Sequence, residues 1–372
     1  MRSVLHALAP AGQGTTRQLR SLHFGPATSG RKVYIQASLH ADEVPPMLVA
    51  QHLRERLVEL ENSCAIKGEI VLVPMANPIG LSQDLQGSLL GRFDLSTGIN
   101  FNRGYKHLTS ELLPRLQGRL GSDEASNTQL IRQACREALA AWTAQTETEA
   151  LKKLLQTLAI DADIVLDLHC DNQAVLHLYT GTPLAAQLEP LSAYLGAEAL
   201  LVAKVSGDDP FDESVSRIWW ELAEHFGPAL PIANACVAAT VELRGEVEVD
   251  HELARRDAAA IIEFLRHAGH IEGDAAALPP SRCKPTPLEA VEPITAPHGG
   301  LLVFAKAPGE AVAAGETIAE LIDPLSDAVT PLRASVAGPM FARVARRYVT
   351  RGMRVAKIAG TTAFRSGKLL SM

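Results

Sequence analysis

The chain has 372 residues, of which 47% are hydrophobic and 21% charged, and its formal net charge is −7. Such a composition builds a globular protein with a sizeable core, and the length favours two domains. The acidic balance leaves no basic footprint for nucleic acid, and no apolar run reaches the roughly 18 residues that a membrane span needs.

The opening MRSVLHALAPAGQG has one Arg and an apolar stretch interrupted by His6, a poor secretory signal. RKVYIQASL reads as a buried strand ending at residue 39, and PPMLVAQHLRERLVELE as the helix after it, with Pro45 and Pro46 tolerated in its first turn. GEIVLVPMANP is a second strand closed by the turn residues Asn77 and Pro78. Residues from about 107 to 159 carry helical spacing. ADIVLDLHC, AVLHLYTG and AATVELRGE read as three further strands, and DHELARRDAAAIIEFLRHAG as a closing helix. This alternation predicts an α/β fold: a mixed, largely parallel sheet flanked by helices, with functional groups at the strands' carboxyl ends.

Residues 273–293 are Pro-rich and read as a linker. Beyond them the pattern is all-β, with a weak repeat of Gly, strand, turn, Gly, strand. The expected division is a catalytic α/β domain over 1–285, with a helical insertion at about 107–159, and a barrel- or sandwich-like β module over 286–372. The phrase PGEAVAAGETIAELID resembles the biotinyl/lipoyl fold, but the hairpin DPLSDAVTPLRA has no carrier Lys. The module therefore reads as structural or oligomerising, a wall for the active site, and it leaves room for a homo-oligomer. Five scattered cysteines without a CxxC pair favour a reducing, cytoplasmic setting.

The chemistry-bearing residues are His40 and Glu43 in SLHADEVPP and His169 in DIVLDLHCDN. Catalytic zinc takes three protein ligands and keeps one position open, so this set points to metal-assisted hydrolysis. A lone His-x-x-Glu is more often an ordinary polar pair; its place after one strand, with DLH on another, reverses that balance. Asp167 shares a strand face with His169 and reads as an acceptor behind the ring or as a loop cap. Glu242 lies near the end of an apolar strand, where a carboxylate is costly without a task or a partner, and Arg244 is the obvious ion-pair candidate. His177 reads as a packed core histidine ahead of a pocket residue. SGDDPFDESVSRIWW reads either as a lid or as a loop anchored by Trp219 and Trp220.

The ordered elements HADE, NFNR, DLH and VEL resemble those of the succinylglutamate desuccinylase/aspartoacylase family, over roughly residues 30–265. Those proteins are similar to zinc carboxypeptidases. The resemblance implies that His40, Glu43 and His169 bind one Zn2+ per chain and that Glu242 is the general base. It implies that Asn102 and Arg103 hold a substrate carboxylate, which suits a guanidinium fork. Arg92 becomes the candidate for polarising the scissile carbonyl. The implied activity is cleavage of the amide bond of a small N-acyl amino acid by a metal-activated water. A zinc carboxypeptidase acting on short peptides and a noncatalytic zinc-binding scaffold are the alternatives, and an intact Glu242 argues against the second. Succinyl and acetyl groups both remain open, and a His2Glu site accepts other divalent ions.

Overall fold

The computed structural model describes residues 1–27 and 30–370. A nine-stranded sheet runs, in spatial order, Arg2–Ala7, Gln18–Phe24, Glu69–Val73, Lys32–Ala37, Ile164–Asp171, Val237–Gly245, His177–Gly181, Ala199–Ala203 and Pro285–Pro287. The four strands from Glu69–Val73 to Val237–Gly245 are mutually parallel. His177–Gly181 runs antiparallel to Val237–Gly245 and parallel to Ala199–Ala203. The sheet is therefore mixed and largely parallel, and its parallel strands bring four carboxyl ends to one edge.

The strands owe their place to their side chains. IVLDLHCD over Ile164–Asp171 is buried along nearly its whole length, as a central parallel strand must be. Val33, Ile35, Leu166 and Leu168 enter one core; Tyr34 and Val165 enter the other, as the period of two dictates. The first core is covered by α1 (Pro45–Asn62), and by two later helices, Ala185–Leu195 and His251–His267. The second is covered by α2 (Thr109–Leu116), α3 (Glu124–Ala141), α4 (Glu147–Ala159) and α6 (Phe211–Phe226), counting Ala185–Leu195 as α5 and His251–His267 as α7. Helices α2 to α4 fill the stretch expected to be helical. Asp250 starts α7 by accepting the Glu252 and Leu253 N–H groups, as an aspartate N-cap does.

Three elements differ from the sequence expectation. Arg2–Ala7 and Gln18–Phe24 form an antiparallel edge hairpin that mixed polar patterning concealed. The Pro-rich stretch is not all linker: Pro285–Pro287 adds an edge strand beside Ala199–Ala203, a position that tolerates missing N–H donors. The segment that read as a lid or anchored loop becomes helix from Phe211 onward, with Trp219 and Trp220 buried on it. The anchoring role of the two tryptophans agrees with the structure.

Residues after 290 form two packed antiparallel sheets. One holds Val291–Thr295, Arg354–Ala359, Gly338–Arg343 and Ala311–Val312; the other holds Val329–Arg333, Thr317–Ile322, Gly300–Phe304 and Tyr348–Val349. Their facing side chains make a separate core around Ile318, Leu321, Met340 and Ile358. This sandwich is stitched to the large sheet: the two-residue strand Gln173–Ala174 pairs with Ala342 and Arg343. Among the described residues no helix is long and apolar enough to cross a membrane.

Candidate metal centre and the pocket around it

His40 and Glu43 sit on the loop leaving Lys32–Ala37, just before α1. The turn begins at Ser38, whose φ of 58° is left-handed and whose hydroxyl donates to the Glu43 carbonyl at 3.0 Å. Buried Asn77 supports the loop by donating to the Leu39 carbonyl at 2.8 Å. The loop carrying Arg92 approaches so closely that a Cβ on Gly91 would lie 2.3 Å from the Asp42 nitrogen. Only glycine allows that approach, and it delivers Arg92 to the centre.

His40, Glu43 and His169 are 3%, 6% and 1% exposed, and one ligand atom from each lies within 4.8 Å of the others. His40 Nδ1 is 2.8 Å from Glu43 Oε1, and His169 Nδ1 is 2.7 Å from Glu43 Oε2. The opposite nitrogens are occupied as well. His40 Nε2 lies 2.8 Å from Asn100 Oδ1, and His169 Nε2 lies 2.9 Å from Asp167 Oδ2. Oxygen acceptors there favour Nε2–H on both rings and turn the Nδ1 lone pairs inward, the arrangement of metal-bound imidazoles. Lone pairs from two rings and a carboxylate then converge at close range, and a cation among them removes the repulsion. The donor set therefore fits a divalent ion of the zinc class.

The electrostatics agree. Burial, then the Arg92 guanidinium, lowers His40 to about 4, so its ring is neutral at physiological pH. Burial opposes ionisation of Glu43, but the two imidazoles hold it well below the usual carboxylate range. Burial also works against charge on His169, yet Asp167 and Glu43 raise it well above an ordinary histidine; the proton so favoured occupies the same electrostatic position as a metal ion.

The remaining expected residues line one pocket with His40 and His169: Arg92, Asn102, Arg103 and Glu242. Glu242 pairs in register with His169 across the parallel strands. Its Oε2 is buried and accepts no hydrogen bond among the described residues. Burial, then the Glu43 carboxylate, pushes Glu242 up to about 8. The alternative partner Arg244 is engaged elsewhere: a bulge with φ of 65° at Arg244 turns its guanidinium to Asp257. Arg92 Nη1 stands 3.1 Å from Glu43 Oε1 and 3.3 Å from His40 Nδ1. Arg103 Nη1 donates to the Asn102 carbonyl at 2.6 Å. Asn102 is less available than expected: its Oδ1 accepts the Phe211 N–H at 2.9 Å, and its Nδ2 lies 3.4 Å from His169 Nε2. Its hydrogen bond to Phe211 sets the start of α6 beside the candidate metal centre. His177 is outside this pocket, fully buried against Phe341, with Nδ1 donating to the Val175 carbonyl at 2.8 Å.

Several wall residues carried no sequence signal. Asn100 stood in NFNR unremarked. Ser206, Asp212 and Glu213 lie in the stretch read as a lid or loop. Lys357 reaches the pocket from the β-sandwich, together with nearby Leu288 and the carboxy-terminal Leu370. Lys357 donates to Asp171 Oδ2 at 2.5 Å, two residues beyond His169; burial works against its charge, but Asp171 keeps it raised.

The succinylglutamate desuccinylase/aspartoacylase catalytic-domain model matches residues 29–268. A solved structure of a protein of that family from Shewanella amazonensis SB2B is similar at 27% identity, covering 96% of this chain and 98% of its own, with a TM-score of 0.83. One from Shewanella frigidimarina NCIMB 400 shares the fold at 24% identity, 96% and 97% coverage and a TM-score of 0.82. The product-bound ectoine utilization protein EutE (DoeB) from Ruegeria pomeroyi shares the fold at 16% identity, 97% and 95% coverage and a TM-score of 0.67. A comparison with curated proteins gave no match.

Proposed function

The chain belongs to the succinylglutamate desuccinylase/aspartoacylase family of hydrolases, and from that premise we propose that it is a zinc-dependent amidohydrolase acting on an N-acyl amino acid. The observation that carries the reading is a buried His-Glu-His donor set whose two histidines line one pocket with Glu242, a buried carboxylate whose Oε2 accepts no hydrogen bond among the described residues. Zinc held by His40, Glu43 and His169 supplies Lewis acidity toward the acyl carbonyl and acidifies water.

Glu242 takes the proton of the attacking water. Raised to about 8 by burial, it is a stronger base than an ordinary carboxylate, and once protonated it keeps the proton near neutral pH until the departing amine takes it. Arg92, pinned by Glu43, offers its remaining N–H groups to the developing oxyanion. Arg103 receives the substrate carboxylate, with Asn102 positioning the start of α6 beside it. The β-sandwich closes the pocket through Lys357 and Leu370, the structural role we assign to residues 286–372. Five free cysteines fit a reducing, cytoplasmic setting.

The test is amine release by the zinc-loaded protein from a panel of N-acyl amino acids and short peptides, with Glu242→Ala as the blank. Turnover of acyl amino acids that the variant loses upholds the reading. Turnover of peptides alone replaces it with a carboxypeptidase, and zinc binding without any turnover replaces it with a scaffold.

A further inference from the structure

The two sheets of the β-sandwich are not used alike. The first joins the α/β domain, through the pairing of Gln173–Ala174 with Ala342 and Arg343 and through Lys357 on Asp171. The second, in spatial order Val329–Arg333, Thr317–Ile322, Gly300–Phe304 and Tyr348–Val349, turns its outer face to solvent. Outward positions on such a strand are normally polar. Leu302 enters the sandwich core, but its neighbours Leu301 and Val303 point outward and are 45% and 50% exposed.

Cross-strand register extends this pattern into a row. Leu301 pairs with Ile322 on one side and Tyr348 on the other, and Ile322 pairs with Val329. Val329 and Tyr348 are half exposed, and Leu325, 95% exposed in the hairpin between Thr317–Ile322 and Val329–Arg333, prolongs the row at one end. Single exposed apolar side chains mean little, but a row spanning four strands is a contiguous patch.

The charges around the row are sorted. Glu320 and Asp327 belong to the half built by Thr317–Ile322 and Val329–Arg333; Arg346 and Arg351 flank Tyr348–Val349 on the other half; all four are exposed. A phosphate backbone or an anionic lipid surface would meet the two acids, and a uniformly basic partner the two arginines. A second copy of the same face meets neither conflict. A two-fold axis between the faces, running along the strands, lays Val329–Arg333 of one copy over Tyr348–Val349 of the other. The apolar rows then coincide, and the acidic half of each copy lies on the arginine half of its partner.

We propose that this face is the contact between two copies of the chain, a two-fold dimer through the outer sheets of the sandwiches. Four strands spaced about 4.8 Å apart make a compact patch. It is smaller than the roughly 800 Å² per partner of a standard interface, so the dimer exchanges with monomer as concentration falls. Lys357 reaches the pocket from the other sheet, so changes on this face leave the pocket intact.

Sedimentation velocity of the full chain over a concentration series tests the proposal. The expected result is a monomer that becomes a dimer as concentration rises, with Leu301→Lys weakening the dimer about tenfold or more. Arg346→Glu and Glu320→Arg should each weaken it, and the double variant should recover the wild-type constant, because opposite charges face each other again. Each change is at an exposed side chain, and a melting temperature matching wild type shows that the variant is folded. A second measurement needs no variant: hydroxyl-radical labelling of Leu301 and Tyr348 in the wild type should fall as the dimer forms. A monomer at every concentration, a dimer that Leu301→Lys leaves unchanged, labelling that falls on another face, or a double variant no tighter than the single ones overturns the proposal.

Discussion

At the candidate metal centre both imidazoles are held from two sides, and Glu43 meets His40, His169, Arg92 and the Cys170 N–H. On the acidic wall formed by the start of α6, Glu213 Oε2 and the Ser206 hydroxyl make no hydrogen bond among the described residues, although Arg217 stands 3.9 Å from the carboxylate oxygen. The two regions share one pocket and one level of burial, so burial alone does not explain the contrast. The candidate metal centre is held in advance by its own neighbours, as electrostatic catalysis requires, whereas the acidic wall keeps buried oxygen atoms without hydrogen bonds among the described residues.

The harshest way to break this contrast is to remove a ligand. His169→Ala leaves two donors and removes one of the two imidazoles that hold Glu43 ionised. Zinc retained after dialysis should fall well below one per chain, and turnover should fall to that of chelator-treated wild type. If metal content is unchanged, His169 is not a ligand. Next in size is Glu242→Gln, which keeps shape but removes the base. The expected fall in kcat is about 10²- to 10⁴-fold, with zinc stoichiometry intact by metal analysis. A comparable loss of zinc would make Glu242 a ligand instead. Asp167→Asn tests the support behind the ring. It should weaken zinc by about 10- to 100-fold in a competitive chelator titration, because the acceptor that sets the His169 tautomer is weakened.

The same contrast explains what the sequence showed. His40 and Glu43 follow an apolar strand, His169 and Glu242 stand near the ends of two others, and a polar group closing such a run is conspicuous. Gln36 was hidden inside its strand, although the structure makes it donate to Asp167 at 2.8 Å. The acidic wall was legible only as polarity: SGDDPFDES has the composition of a loop, and only tertiary burial makes Asp212 and Glu213 unusual. Lys357 lies 188 residues from His169, and nothing local marks it as a pocket residue. Nor did the chain betray the Pro285–Pro287 edge strand, because proline is a strand breaker everywhere except at such an edge.

Asp212→Asn probes the acidic wall through stability. The folded pKa of Asp212 is raised to about 7 by burial, so the folded state binds the extra proton between the ordinary carboxylate range and pH 7. Wild type therefore loses stability as pH rises through that window, and the loss is complete above it. Asparagine resembles the protonated acid and removes that slope. The melting temperature of Asp212→Asn should exceed that of wild type at pH 8, with the gap shrinking toward pH 5. A gap independent of pH would mean that Asp212 is ionised throughout.

The smallest effect expected is at the seam between the sheet and the sandwich. Lys357→Met removes the 2.5 Å pair with Asp171, whose side chains are 34% and 21% exposed. Water already screens part of that attraction, so the cost should be about 1–2 kcal/mol in urea unfolding. Lys306→Met is the matched control: its 2.8 Å pair with Glu316 lies wholly within the sandwich. Removing it should cost less stability than Lys357→Met, because water screens an exposed pair, and leave KM unchanged. Lys357→Met should also raise KM, because the lysine lines the pocket beside Glu242 and Tyr179. Equal stability losses with no change in KM would reduce Lys357 to an ordinary surface pair and confine the substrate site to residues before the sandwich. A KM effect confined to Lys357→Met would make the sandwich part of the binding site.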